Sequence, residues 1–247
     1  MKNLSLKISN PIFIVGFPHS GSSILTAILS MLKNVYTFKG ESTIFYYKNY
    51  KSLEKLEQET FKNNKKRFLE KTPKHLYFID DILSFYPKAK ILISIRNGFD
   101  VINSFLKREK NFVIAYQRYI TDGFEILKWK KKNLENIKIV KYEDLIENTI
   151  QHLKNICEFI EEPYQQNLLE YYKKPKLWYD KEIKKPNDIS DNPKLRNWQI
   201  NQPLFDGRNR WKKELAFYHV NFLINDKDFI FIMKNLDYDL KIYKYEY

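Results

Sequence analysis

The sequence contains one cysteine, Cys157, so an intrachain disulfide is impossible and a cysteine-rich metal site is excluded. Both exclusions fit a reducing compartment. No segment approaches the ~20 apolar residues of a membrane-spanning helix. The N-terminus shows no long apolar stretch ending in a small-residue cleavage site. The expectation is a soluble, cytoplasmic protein with no transmembrane segment. Internal repeats are missing, as are low-complexity blocks beyond short lysine runs, and no convincing linker divides the chain. Residues 1–247 are therefore read as one domain. Helix-turn-helix, zinc-finger and RNP patterns are also missing, which argues against a nucleic-acid reader. What is present is apolar bulk: 43% of the 247 residues are hydrophobic and 16% aromatic, enough to bury a sizeable core. Lys and Arg number 43 against 30 Asp and Glu, a net charge of +13 that favours anionic partners.

Four short β-rich runs stand out: Ile12–Val15, Arg67–Leu69, Ile91–Ile95 and Ile137–Val140. The first and third are apolar at nearly every residue, as expected where both faces of a sheet are covered. Helical patterns separate them, over Ser22–Leu32, Leu76–Phe85, Asp100–Leu106, Phe112–Lys132 and Thr149–Ile160. Strands alternating with helices predict a parallel sheet with crossovers and an α/β fold. From Tyr164 to about residue 205 the chain carries four prolines and no sustained period. That stretch predicts an irregular lid or acceptor-binding segment. A basic patch, Arg208–Lys213, and an amphipathic segment, Asp226–Leu236, follow it.

The most informative stretch runs from Ile12 into Gly16-Phe17-Pro18-His19-Ser20-Gly21-Ser22-Ser23 and on into a helix. Its spacing matches the phosphate-cradling pattern G-x-x-x-x-G-K-[ST], with Ser22 at the lysine position. Glycines let successive backbone N–H groups converge, and a helix start adds free donors and a positive dipole end. The missing lysine, and Arg96 at the end of the third apolar run, disfavour a magnesium-dependent kinase or triphosphatase. They suit an anion held by cations and amides with no metal ligand.

Four blocks in order then resemble the sulfotransferase family that uses 3′-phosphoadenosine 5′-phosphosulfate. Pro18-His19-Ser20-Gly21-Ser22-Ser23 is similar to its 5′-phosphosulfate loop. Leu92 through Arg96 to Ser104 is similar to its 3′-phosphate motif. Val140-Lys141-Tyr142-Glu143-Asp144-Leu145 and Gly207-Arg208-Asn209-Arg210-Trp211-Lys212-Lys213 resemble two later blocks, the second a loop that closes over the nucleotide. The resemblance implies a P-loop-type parallel sheet flanked by helices, and a site holding the donor and its product adenosine 3′,5′-bisphosphate (PAP) without metal. On this basis Pro18, His19, Ser20, Gly21, Ser22, Ser23, Arg96, Ser104, Tyr142, Gly207, Arg208, Arg210, Trp211 and Lys212 are expected to bind the nucleotide. The acceptor is expected to be a small molecule, carbohydrate or peptide.

Sulfuryl transfer needs a base for the acceptor proton and cations at the departing bridging oxygen. Two candidates serve as the base. Glu41, in Lys39-Gly40-Glu41-Ser42-Thr43, resembles the Gly-Glu segment of tyrosylprotein sulfotransferases and related bacterial enzymes. His75, after Lys71-Thr72-Pro73-Lys74, resembles the basic histidine of cytosolic sulfotransferases. Glu41 is favoured, with Lys71 stabilising the leaving group. His19 replaces the usual Arg or Lys, and is expected to be protonated and to assist the bridging oxygen. An alternative is a weakly active or inactive nucleotide-binding protein of the same fold. Trp178, Tyr179 and Trp198 are available to stack on an acceptor.

Overall fold

Ile12–Gly16 (β1) is buried at every residue, the consequence of an apolar run sandwiched between two helical layers. The structure, a computed structural model, describes residues 4–187 and 192–240. After β1 come α1 (Ser22–Leu29), β2 (Val35–Thr37), α2 (Lys51–Lys62) and β3 (Arg67–Lys71). A 3₁₀ turn, Pro73–Phe78, leads into α3 (Ile79–Phe85), β4 (Lys90–Ile95), α4 (Gly98–Glu109) and α5 (Phe112–Lys132). Then follow β5 (Ile137–Lys141), α6 (Tyr142–Glu147), α7 (Thr149–Phe159) and a second 3₁₀ helix, Gln166–Lys173. The described chain closes with α8 (Asn192–Gln199), α9 (Trp211–Glu214), α10 (Phe217–Asn225) and α11 (Lys227–Asn235).

All five strands pair in parallel in the order β2-β3-β1-β4-β5. Alternation along each strand divides the core in two. Phe13, Val15, Phe68, Ile91 and Ile93 face a layer that includes residues of α3, α4, α5, α10 and α11. Ile12, Ile14, Leu69 and Leu92 face the other, built largely from α1, α7 and the second 3₁₀ helix. Asn97 caps α4 by accepting from Phe99 N–H at 3.0 Å, and Asn111 caps α5 by accepting from Ile114 N–H at 3.1 Å.

The α/β architecture follows the alternation of runs in the sequence. Elements outside those runs include β2, a three-residue edge strand, α2, whose buried face rests on Leu53, Leu56, Glu57 and Thr60, and the later helices α6 and α10. The helix expected over Leu76–Phe85 begins as the 3₁₀ turn at Pro73. The Tyr164–205 stretch is less irregular than its composition predicts, holding the second 3₁₀ helix and α8; within it, residues 188–191 lie outside the described residues.

Gly16 sits at φ 120°, where an added Cβ would run into the Ser94 carbonyl. Gly16→Ala is expected to lower the unfolding free energy by about 2–4 kcal/mol, from backbone strain and collision together. Denaturant unfolding of the two proteins measures it.

Candidate active site

Sheet topology sets where a ligand can enter. The chain leaves β1 into α1 on one face of the sheet and leaves the adjacent β4 into α4 on the other. The two connections diverge and open a crevice at the carboxyl ends of the strands. Pro18, His19, Gly21, Ser22 and Ser23 line it from the first connection, and Arg96 and Ser104 from the second. Tyr142, Gly207 and Arg210 complete the part expected from sequence.

Gly21 is the N-cap of α1 at φ 84°, and a Cβ there would collide with the Tyr142 ring. The first N–H groups of α1 have no acceptor within the helix, which makes this end an anion seat. Ser20 is expected in the cavity, but the structure turns it into the protein. Its Oγ donates to the Phe17 carbonyl at 2.7 Å and lies 2.8 Å from Ser94 Oγ, whose own proton goes to the Ser20 carbonyl at 3.1 Å. Ser20 thus holds the loop in shape against β4.

Arg96 follows directly on β4. Its guanidinium donates to the carbonyls of His19, at 3.3 Å, and Gly207, and lies 4.5 Å from the Tyr142 ring centroid. Tyr142 Oη donates to the Phe205 carbonyl at 2.9 Å and accepts from Gly207 N–H at 3.2 Å. Asp100, on the first turn of α4, accepts from the N–H groups of Asn209 (2.9 Å) and Trp211 (3.3 Å) and so anchors the late loop. Burial raises the Asp100 pKa against the pull of Arg96 and those amides. The late loop brings Gly207 and Arg210 to the cavity but not the other three residues expected there. Trp211 is fully buried and stacks on Phe99 at 4.5 Å, an anchor under the loop. Arg208 pairs with Asp206 at 2.9 Å and Glu147 at 3.7 Å, and Lys212 lies outside the cavity wall.

Two cavity arginines were not anticipated, Arg108 and Arg196. Arg108 falls four residues after Ser104, on the same face of α4, so helical spacing from Ser104 signals it. Arg196 lies on α8, in the stretch without periodicity, and carries no local signal. With Arg96 and Arg210 they line one cavity, and among the described residues no acid lines it. Burial and the Arg196 charge push the Arg108 pKa down to about 10. The same field acts on His19: burial first, then Arg108, Arg196 and Arg96, lower its pKa well below the usual imidazole value.

Arg196 also reaches out of the cavity. Glu41 Oε1 accepts from Arg196 Nη1 and from Lys71 Nζ, each at 2.8 Å. Burial opposes ionisation of Glu41, but these two cations outweigh it and hold the carboxyl below its ordinary range. Lys71 is 1% exposed. The Tyr179 ring lies 5.4 Å from Lys71 Nζ and 5.7 Å from the Arg196 guanidinium. Trp178 N–H donates to Asn197 Oδ1 at 3.0 Å, whereas the Trp198 ring lies against Lys185, at 5.5 Å.

The structure does not bring His75 to this cavity. It is 0% exposed, its Nδ1 is 3.0 Å from Glu70 Oε2, and its Nε2 accepts from Phe45 N–H at 3.3 Å. With both ring nitrogens engaged in the core, it has none free for an acceptor proton. Among the described residues no group of three or more His, Cys, Asp or Glu is placed to hold a metal, and no helix is long and apolar enough to cross a membrane.

Comparison with known proteins bears on the fold. The sulfotransferase domain of the Synechococcus PCC 7002 olefin synthase superimposes with a TM-score of 0.71 at 17% identity, over 97% of this chain and 98% of that one. The sulfotransferase domain of the curacin biosynthetic pathway gives 0.69 at 17%, over 95% and 100%. Mouse sulfotransferase SULT7A1, solved with PAP, gives 0.61 at 15%, over 93% and 85%. At these identities the likeness establishes the fold. No curated protein matches the sequence. The sequence model of the Sulfotransferase family matches residues 40–166, more than half of the chain, and with the fold it makes this protein a member of the sulfotransferase family.

Proposed function

We propose that this enzyme binds 3′-phosphoadenosine 5′-phosphosulfate in the arginine-lined cavity and transfers its sulfuryl group to a hydroxyl or amine, on a carbohydrate or peptide. One observation carries the reading: the N-terminus of α1 and Arg96 face a single cavity, which Arg196 joins to a pair made by buried Lys71 and half-buried Glu41. The chain's residues fit a nucleotide with anionic groups at two ends. Pro18 to Ser23 would hold the phosphosulfate, with the α1 amides as donors. Arg96 and Ser104, with Arg108, would hold the 3′-phosphate, since planar guanidinium groups bind phosphate through paired hydrogen bonds. Tyr142, Gly207 and Arg210 would close over the nucleotide. The PAP in the similar mouse structure supports this ligand class.

When bound, the donor supplies the sulfuryl group and takes the electron pair of the broken S–O bond. Glu41 accepts the acceptor's proton on its carboxylate, and Lys71 steadies negative charge at the departing oxygen. Burial and the neighbouring arginines lower the His19 pKa, whereas a polyanion beside it favours its protonated form. We read residues 1–247 as one domain, with residues 164–205 serving as the lid on the acceptor side.

Three outcomes are expected. Arg96→Ala weakens PAP binding at least about tenfold, since a hydrogen bond to a charged group contributes ~1.5–3 kcal/mol, while adenosine 5′-monophosphate binding scarcely changes. Equal losses for both nucleotides in calorimetry would remove the 3′-phosphate role. Glu41→Gln abolishes sulfuryl transfer and leaves PAP affinity intact or tighter; surviving transfer would exclude Glu41 as the base. Because binding raises the His19 pKa, a proton is taken up with the ligand, so the affinity advantage of wild type over His19→Ala widens as pH falls from 8 toward 6. The limit is about tenfold per pH unit for one proton. Parallel titrations of PAP into both proteins would reveal a pH-independent gap if the coupling is wrong.

A further inference from the structure

We propose that Glu70, Thr72 and His75 form a buried clamp that fixes the loop carrying Glu41, with His75 acting as a positioning residue in its Nδ1–H tautomer. The inference rests on the reading of Glu41 as a reacting group.

Side chains alternate along β3. Leu69 faces the α1 side of the sheet and Phe68 the opposite layer, so Lys71 and Glu70 also turn to opposite faces. Lys71 meets the Glu41 side chain. Glu70, 0% exposed, meets the backbone of the same loop from the other face. Its Oε1 accepts from Ser42 N–H at 3.0 Å and from Thr72 Oγ1 at 2.5 Å. Thr72 Oγ1 in turn accepts from Thr43 N–H at 3.4 Å, and His75 Nε2 accepts from Phe45 N–H. Three amides just after Glu41 therefore end on three side chains of one short segment.

The loop needs this grip. Thr43 sits at φ 53°, a left-handed conformation that a β-branched residue adopts only when its surroundings over-determine it. The grip also dictates a tautomer. An amide donor at Nε2 requires that nitrogen to be bare, so the ring hydrogen is on Nδ1, where it donates to Glu70. Misplacing a reacting group by about 1 Å can cost ~10²-fold in rate, so a rigid loop has a direct use at Glu41.

Full-length protein labelled with ¹⁵N tests the clamp without any acceptor. Wild type at pH 7 is expected to show His75 protonated at Nδ1 and bare at Nε2. In Glu70→Gln, the amide N–H turned toward Nδ1 inverts the tautomer, so that Nε2–H confronts Phe45 N–H donor to donor. Hydrogen exchange at Ser42, Thr43 and Phe45 should then rise together at least about tenfold, while β1 and β4 amides stay protected and PAP affinity stays within about twofold. The Glu41 carboxyl, followed by ¹³C titration, should move up toward its ordinary range as its distance to Lys71 loosens. A second pair keeps Glu70 in place: His75→Gln, with Oε1 near the Nε2 position, should protect Phe45 N–H better than His75→Ala does. A wild-type ring carrying hydrogen on Nε2 would overturn the proposal. So would unchanged exchange at the three amides in Glu70→Gln or, if that variant does not fold, equal Phe45 exchange in His75→Gln and His75→Ala. None of these readouts involves turnover, so an active Glu41→Gln variant would remove the base assignment and leave the clamp standing.

Discussion

The pairing of Gly16 with Ser94 across β1 and β4 is the constraint on which the site depends. It aligns the ends of two central strands, so the glycine loop and Arg96 emerge at the same height on one edge of the sheet. Ser94 then serves both neighbours: its carbonyl accepts from Phe17 N–H at 3.0 Å, and its hydroxyl is laced to Ser20. A side chain on Gly16 would push the strands apart where they must be closest. The loop is held not by its own turns alone but by a strand distant in sequence, and a loop built this way has its amides set in advance of any ligand.

Pre-setting extends to charge. Arg96, Arg108, Arg196 and Arg210 around one cavity repel one another, a cost tolerated at functional sites where local rules are broken. Each neighbouring acid or carbonyl tempers part of that cost without filling the cavity. Asp100 lies 3.6 Å from Arg96, Glu41 takes Arg196, and Glu214 takes Arg210 at 3.1 Å. Burial and three of these arginines, Arg108, Arg196 and Arg96, lower the pKa of His19, so this ring can yield by releasing its proton. A permanent cation at position 19 could not yield in that way, which gives the departure from the family pattern a physical meaning.

What the sequence made legible follows from how local each signal is. The first apolar run, the glycines at 16 and 21 and the Arg96–Ser104 spacing are short-range patterns, and the cavity forms where they place it. Arg208, Trp211 and Lys212 sit in a motif that does reach the cavity, yet which of its side chains faces inward depends on Asp100 anchoring the loop, a contact across more than a hundred residues. The buried place of His75 depends equally on Phe45 and Glu70, and the Lys-Thr pair before it says nothing of either. Arg196 was illegible because its partner, Glu41, lies 155 residues away. Pairings of that range are set by tertiary packing, which propensity and periodicity do not encode.

The Arg96 guanidinium gives two of its five N–H donors to the backbone carbonyls of His19 and Gly207, tying the first loop to the last. Its Nε–H has no hydrogen-bond partner among the described residues. Fastening to both loops fixes the plane of the fork, while the uncommitted donors stay available to a guest. One side chain is thus rivet and receptor at once.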